Sequence, residues 1–279
     1  GEGEDEVCYT NDDGEQVCAQ QTKGSDSTVF PCTEDTLQHF LTEKAVPGFH
    51  IVCFSTIHNE DKAYKDYLQL TYYLDGWHNK TITQTFQAPY KWKTVRFGME
   101  RKMKLEMKNF LPDGFQPWAF YTPLGQRVVD SDTDPDDAEE IVFEVMLQYQ
   151  TMFLFEGGQF VWPGVKIGYQ RPVDLYAITA FGDEPQMERH RVVNLVTVSL
   201  HPLIIMVENF LTDDEANYLQ LEVESKLAYP ERIIDAGKNQ PISQGPKSAY
   251  LVPGEDETLI DIEYRIASLL RVPRQHQEY

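Results

Sequence analysis

His201-Pro-Leu-Ile-Ile-Met-Val-Glu-Asn-Phe-Leu-Thr-Asp-Asp-Glu215 is the stretch whose reading decides the fold. Leu203 to Glu208 is apolar except for its last residue and reads as a buried strand. Asn209 and Phe210 turn the chain into a helix. Thr212 and Glu215 have capping-box spacing: the hydroxyl accepts from the Glu215 backbone N–H while the carboxylate reaches back to the Thr212 N–H. Asp213 and Asp214 put negative charge in the first turn, where the helix dipole favours it. Ala216, Leu219, Val223 and Leu227 then recur at helical spacing. Periodicity predicts a second helix at roughly Asp256 to Leu270, with Leu259, Ile262, Ile266 and Leu269 inward and Pro273 just past its end.

These two helical blocks resemble the entry to the catalytic domain of prolyl 4-hydroxylases. Pro202, Val207, Glu208, Phe210, Leu211, Asp214 and Glu215 match in the first block. Leu251, Gly254, Asp256, Glu257, Ile262, Glu263, Arg265, Ile266, Ala267, Pro273 and Glu278 match in the second, without a gap. The resemblance implies a double-stranded β-helix (jelly-roll) oxygenase that hydroxylates peptidyl proline with O₂, iron(II), 2-oxoglutarate and ascorbate in the secretory pathway. It also implies a proline-rich or collagen-like peptide as substrate. In the family an H-x-D pair, a distal His and a Lys for 2-oxoglutarate all follow the position of Glu278. A facial iron triad needs two His and a carboxylate, so the expectation is a front portion of a longer enzyme, catalytically silent alone, with no catalytic or metal residue of its own. Two positions carry over toward peptide substrate. Glu278 matches a family acid, and Lys247 stands near Gln244, which replaces a family Arg; Lys cannot reproduce a guanidinium fork.

The chain has 279 residues, a length that suits two domains, and 24 basic residues stand against 45 acidic ones, for a net charge of −21. That balance argues against nucleic-acid and anionic-membrane partners, which need basic patches. No apolar run approaches the roughly 20 residues of a membrane span. The cysteines are Cys8, Cys18, Cys32 and Cys53. Cys8 and Cys18 flank the turn-forming Asn11-Asp12-Asp13-Gly14, which predicts a local disulfide; the pairing of Cys32 and Cys53 stays open. Asn79-Lys80-Thr81 is a glycosylation sequon. With the resemblance, these features favour the endoplasmic reticulum lumen or the extracellular space.

The expected class is α+β, in four stretches. Residues 1–30 read as a flexible acidic arm. Residues 31–155 read as a β-rich domain of unspecified role, open to a protein partner. Residues 156–199 are connector strands that pack one domain on the other, and 200–279 begin the oxygenase domain. Within the β-rich stretch, Thr33 to Ala45 looks helical, with Thr33 as cap and Leu37, Phe40 and Leu41 inward. Phe49 to Phe54 reads as a buried strand, and Tyr67 to Leu74 fits either a helix or a strand. Thr81 to Phe86 and Trp92 to Phe97 look strand-like. Met103, Leu105 and Met107 alternate with polar residues, as do Phe143, Val145, Leu147 and Tyr149, the half-buried strand pattern. Turns are expected at Leu111 to Gly114, at Pro123-Leu124-Gly125 and at Gly157-Gly158. Val192 to Leu200 should be a strand with Val193, Leu195, Thr197 and Ser199 on one face.

Other motifs carry less. Aspartates at 130, 132, 134 and 136 resemble the start of an EF-hand, but Pro135 and Ile141 occupy the Gly and Glu positions such a loop requires, which makes it a solvated acidic loop. His58-Asn-Glu60 has the H-x-D/E spacing of an iron pair. It precedes the oxygenase-like region, and no basic residue sits at the family's spacing after its nominal distal partners, His190 and His201, so Asn59 as a helix cap is the better reading. Two functions remain: the support portion of a prolyl 4-hydroxylase-like dioxygenase, or a non-catalytic secreted binding or assembly module.

Overall fold

The computed structural model describes residues 5–10, 16–21, 30–57, 66–105, 117–175, 191–228, 231–235, 238–241, 247–252 and 254–272. Strands β1 (Asp5–Thr10) and β2 (Gln16–Gln21) pair antiparallel, with Cys8 directly opposite Cys18. Helix α1 is only Glu34–Leu37, capped by Thr33 as its sequence predicts. The helix expected through Ala45 stops early because Thr42 is drawn into a bridge with Trp77: its N–H and hydroxyl both donate to the Gly76 carbonyl. Leu37 and Phe40 are nevertheless buried.

Six strands then build the larger sheet. They are β3 (Phe49–Ile57), β4 (Tyr67–Tyr73), β5 (Thr81–Gln87), β6 (Trp118–Tyr121), β7 (Arg127–Asp130) and β8 (Thr151–Glu156). Their order is β5-β4-β3-β8-β6-β7, antiparallel throughout. β3 and β8 are central and therefore apolar on both faces, which explains their unbroken hydrophobic runs. The turn at Leu74–Gly76 closes tightly on β3: Gly76 has φ 65°, and a Cβ there would come within 2.6 Å of the Phe49 ring. Pro123-Leu124-Gly125 makes the predicted turn between β6 and β7.

Two segments expected as strands are helices. α2 (Trp92–Met103) buries Trp92, Val95, Met99 and Met103, a 3.6-residue period that a window ending at the exposed Phe97 does not reveal. α3 (Glu139–Gln148) buries Val142 and Met146, with Ala138 and Tyr149 buried at its two ends; the alternation from Phe143 to Tyr149 is coincidental. Both helices cover one sheet face, made by Val52, Phe54, Leu70, Tyr72, Phe120 and Leu154. Arg96 latches α2 onto the loop after β7, donating to the Thr133 carbonyl at 2.8 Å and to the Ser131 carbonyl.

The opposite face carries Phe49, Ile51, Cys53, Tyr121, Phe153 and Phe155, and a second layer closes over it. After the left-handed Gly157-Gly158 pair the chain runs without regular structure, burying Phe160, Trp162 and Val165. It enters β9 (Gln170–Asp174), β10 (Val192–Leu200) and β11 (Leu203–Glu208), a three-stranded antiparallel sheet ordered β11-β10-β9. Val193, Leu195 and Thr197 point inward as expected. A bulge between Thr197 and Ser199 then shifts the register, so Leu200 replaces Ser199 as the next buried residue.

β11 has the predicted bounds but is not buried throughout. Among the described residues it is an edge strand with one covered face, and Ile204 and Met206 are 48% and 47% exposed. α4 (Asp213–Lys226) forms behind the predicted capping box, yet none of its residues is buried. Leu219 and Val223 are half-covered, while Ala216 and Leu227 are exposed. Strands β12 (Glu231–Asp235) and β13 (Lys238–Pro241) form a hairpin. α5 (Glu257–Leu270) buries Leu259, Ile262, Ala267 and Leu269, with Ile266 half-buried. The result is α+β, with antiparallel sheets and few helices. Among the described residues no helix is long and apolar enough to cross a membrane.

Candidate functional site

The residues singled out by the sequence meet where α4 and α5 approach each other. Thr212 Oγ1 accepts from the Glu215 N–H at 3.0 Å, and Glu215 Oε2 accepts from the Thr212 N–H at 2.8 Å. The same carboxylate receives both arms of Arg265: Nη1 donates to Oε2 at 3.0 Å and Nη2 to Oε1 at 2.6 Å. Such a fork is geometrically selective for arginine. Arg265 Nη1 also donates to the Phe210 carbonyl at 2.5 Å, and its guanidinium lies 5.5 Å from the centroid of the Phe210 ring. Arg191, just before β10, adds a second cation 3.6 Å from Glu215 and donates to the Asn209 carbonyl. Hydrogen bonding to Arg265 is the main cause that holds the Glu215 carboxyl below its usual range.

A second contact joins the helices further along. Asp256 caps α5, accepting from the Leu259 N–H at 3.0 Å, and its other oxygen accepts from the Tyr218 hydroxyl of α4. That bond lowers the Asp256 carboxyl and raises the Tyr218 hydroxyl to about 12. Glu263 accepts from the Gly254 N–H at 2.8 Å, which fixes the turn into α5. The C-terminal end of α5 is tied to the second layer: Trp162 Nε1 donates to the Leu269 carbonyl at 2.8 Å, and Ser268 Oγ to the Leu175 carbonyl at 2.5 Å.

The remaining predicted positions are dispersed. Lys247 is exposed beside the Ala228–Ser248 bridge. Glu278 and Gln244 lie outside the described residues, as do His58, Glu60 and His190. Asn79 is exposed in the turn before β5, next to Lys80, which pairs with Asp75 at 2.7 Å. The Asp130 carboxylate is taken up by its own loop, accepting from the N–H groups of Asp132 and Thr133 at 2.7 and 2.9 Å, and by Arg127.

Two features had no signal in the sequence. Cys32 and Cys53 are disulfide-bonded, joining the segment before α1 to β3. His50, inside an apolar strand run, accepts at Nδ1 from the Asp75 N–H and donates from Nε2 to Glu156 Oε1, both at 3.0 Å. The backbone donor fixes the tautomer. Glu156 lines an open groove of about 290 Å³ with Phe49, Phe155, Trp162, Pro163 and Leu203.

Iron would need two His and a carboxylate converging on one point. His39 meets Tyr169, His50 is held by Asp75 and Glu156, and His78 and His201 are exposed in separate turns. Among the described residues no group of three His, Cys, Asp or Glu side chains is placed to hold a metal ion, so this donor set does not fit a facial triad. No protein-family model, curated protein or solved structure matches the chain.

Proposed function

We propose that residues from about 200 onward are the entry and support segment of a prolyl 4-hydroxylase-like dioxygenase of the double-stranded β-helix type. Its chemistry, hydroxylation of peptidyl proline with O₂ and 2-oxoglutarate, is supplied by iron held on ligands other than the described residues. One observation supports this reading: Phe210, Glu215, Asp256 and Arg265, all positions of the family resemblance, take part in the bonds that join α4 and the residues before it to α5. Unrelated helices with chance similarity have no reason to spend their matching positions on one joint. A lumenal or secreted setting is proposed from the Cys32–Cys53 bridge and the exposed Asn79 sequon.

The test has two arms. The 279-residue chain is incubated with iron(II), ascorbate, 2-oxoglutarate and a proline-rich peptide, and succinate release is measured. No turnover above the metal-free control is expected, and turnover would return His58 and Glu60 as ligands. The natural transcript is then read past the Tyr279 codon. An H-x-D or H-x-E followed by a later His and Lys is expected, and a stop codon directly after Tyr279 overturns the dioxygenase reading. The second reading, a binding or assembly module without catalysis, is favoured by the open edge of β11.

A further inference from the structure

Pro172 of β9 has no N–H and stands opposite Asn194 of β10, so Asn194 directs its backbone hydrogen bonds toward Glu208 of β11. The Thr197 N–H donates the other way, to the Tyr169 carbonyl, as alternation requires. Along β11 the same alternation turns the N–H and C=O groups of Ile205 and Val207 outward. Among the described residues no strand occupies that edge. Proteins usually blunt such an edge with lysine, proline or a bulge within the strand. Leu203-Ile-Ile-Met-Val-Glu208 contains neither lysine nor proline. Its outward side chains, Ile204 and Met206, are half-exposed and continue an apolar surface onto Val198, itself 47% exposed.

Charge selects the occupant. Glu208 is exposed at the end of this surface, held by Asn194 Nδ2 at 2.9 Å, and Asp213 and Asp214 follow in the exposed first turn of α4. Arg191, just before β10, is engaged with Asn209 and Glu215. A second copy is a poor fit: each chain carries net charge −21, and antiparallel self-pairing of Ile205 with Val207 would set Glu208 against Ile204 rather than against a cation.

We propose that the open edge of β11 takes an added strand from a basic extended peptide, with alternate apolar side chains over Ile204 and Met206 and a Lys or Arg against Glu208. Backbone bonds to Ile205 and Val207 supply the general attraction; the apolar face and Glu208 supply selectivity. The proposal is independent of the dioxygenase reading.

The probe is the end-blocked peptide Thr-Val-Thr-Val-Thr-Lys, titrated into the intact chain by calorimetry. Saturable binding is expected. Glu208→Lys should weaken it about threefold or more, and changing the peptide lysine to glutamate should restore binding to that variant. Met206→Lys should weaken both peptides, with urea midpoints showing that the variants fold. Equal binding by wild type and Glu208→Lys, or by a control peptide with proline at its centre, overturns the proposal. Hydrogen exchange on the wild-type chain is the second readout. The Ile205 and Val207 amides should exchange fast when free and slow with peptide bound. Protection already present in the free chain would mean that the chain covers its own edge, and a concentration-dependent dimer in sedimentation would assign the edge to a second copy; either result overturns the proposal.

Discussion

Glu215 gathers a cap bond, both arms of Arg265 and the nearby Arg191 at the helix joint. Because its folded-state pKa lies below the ordinary value of 4.5, the unfolded chain takes up this proton first as pH falls. Its stabilisation is full above that ordinary value and is lost as pH drops through the lower folded value. Glu215→Gln should cost about 2 kcal/mol at neutral pH, in keeping with hydrogen bonds to charged groups. Urea midpoints should show the gap from wild type narrowing toward acid; a gap independent of pH would remove Arg265 as the cause. Lys226, bridging Glu222 and Glu255 on the surface, serves as the control, and Lys226→Met should leave the urea midpoint close to the wild-type value. The Cys32–Cys53 bridge closes a sequence separation of 21 and should contribute about 3 kcal/mol, read as the difference between wild type and the Cys32→Ser, Cys53→Ser double variant. The spacing of four cysteines is compatible with several pairings, so this bridge was legible only once β3 and the segment before α1 lay side by side.

At the scale of elements, α4 and α5 are the same length but differ in what covers them. α5 has four buried side chains and is bonded at Leu269 to Trp162, whereas α4 has none and leaves Leu221 70% exposed. Leu269→Ala should therefore cost about 2–5 kcal/mol by leaving a cavity. Leu221→Ala should stay within about 0.5 kcal/mol. Thermal or urea unfolding separates the two; equal losses would mean that α4 has a buried face. The capping box of α4 and the bounds and inner positions of α5 were legible because caps and 3.6-residue periodicity are local properties. α2 was misread as a strand because a short window over Trp92 to Phe97 contains too little of the period, and Met99 and Met103 complete it. β11 was read as buried because five apolar residues in a row do not say whether a strand is central or at an edge.

Across the whole molecule, the larger sheet lies between two apolar layers: α2 and α3 on one face, and the β9–β11 sheet with the end of α5 on the other. The Asn79 sequon stands on an exposed turn outside both layers. Expression through a secretory pathway should give a single mobility shift that is removed by glycosidase and absent in Asn79→Gln, with unchanged thermal stability; no shift in the wild type would count against a lumenal setting. What the sequence alone determined is what short-range chemistry dictates: the Thr33 and Thr212 caps, the turn at Pro123 to Gly125, the strands at Phe49 and Val192, and the amphipathic α5. Which strands are neighbours, which faces are covered, the pairing of Cys32 with Cys53, the His50–Glu156 contact and the fork from Arg265 to Glu215 were decided only by the tertiary structure. Each of these joins residues from different elements, and no local period or turn rule records which distant residue will lie opposite.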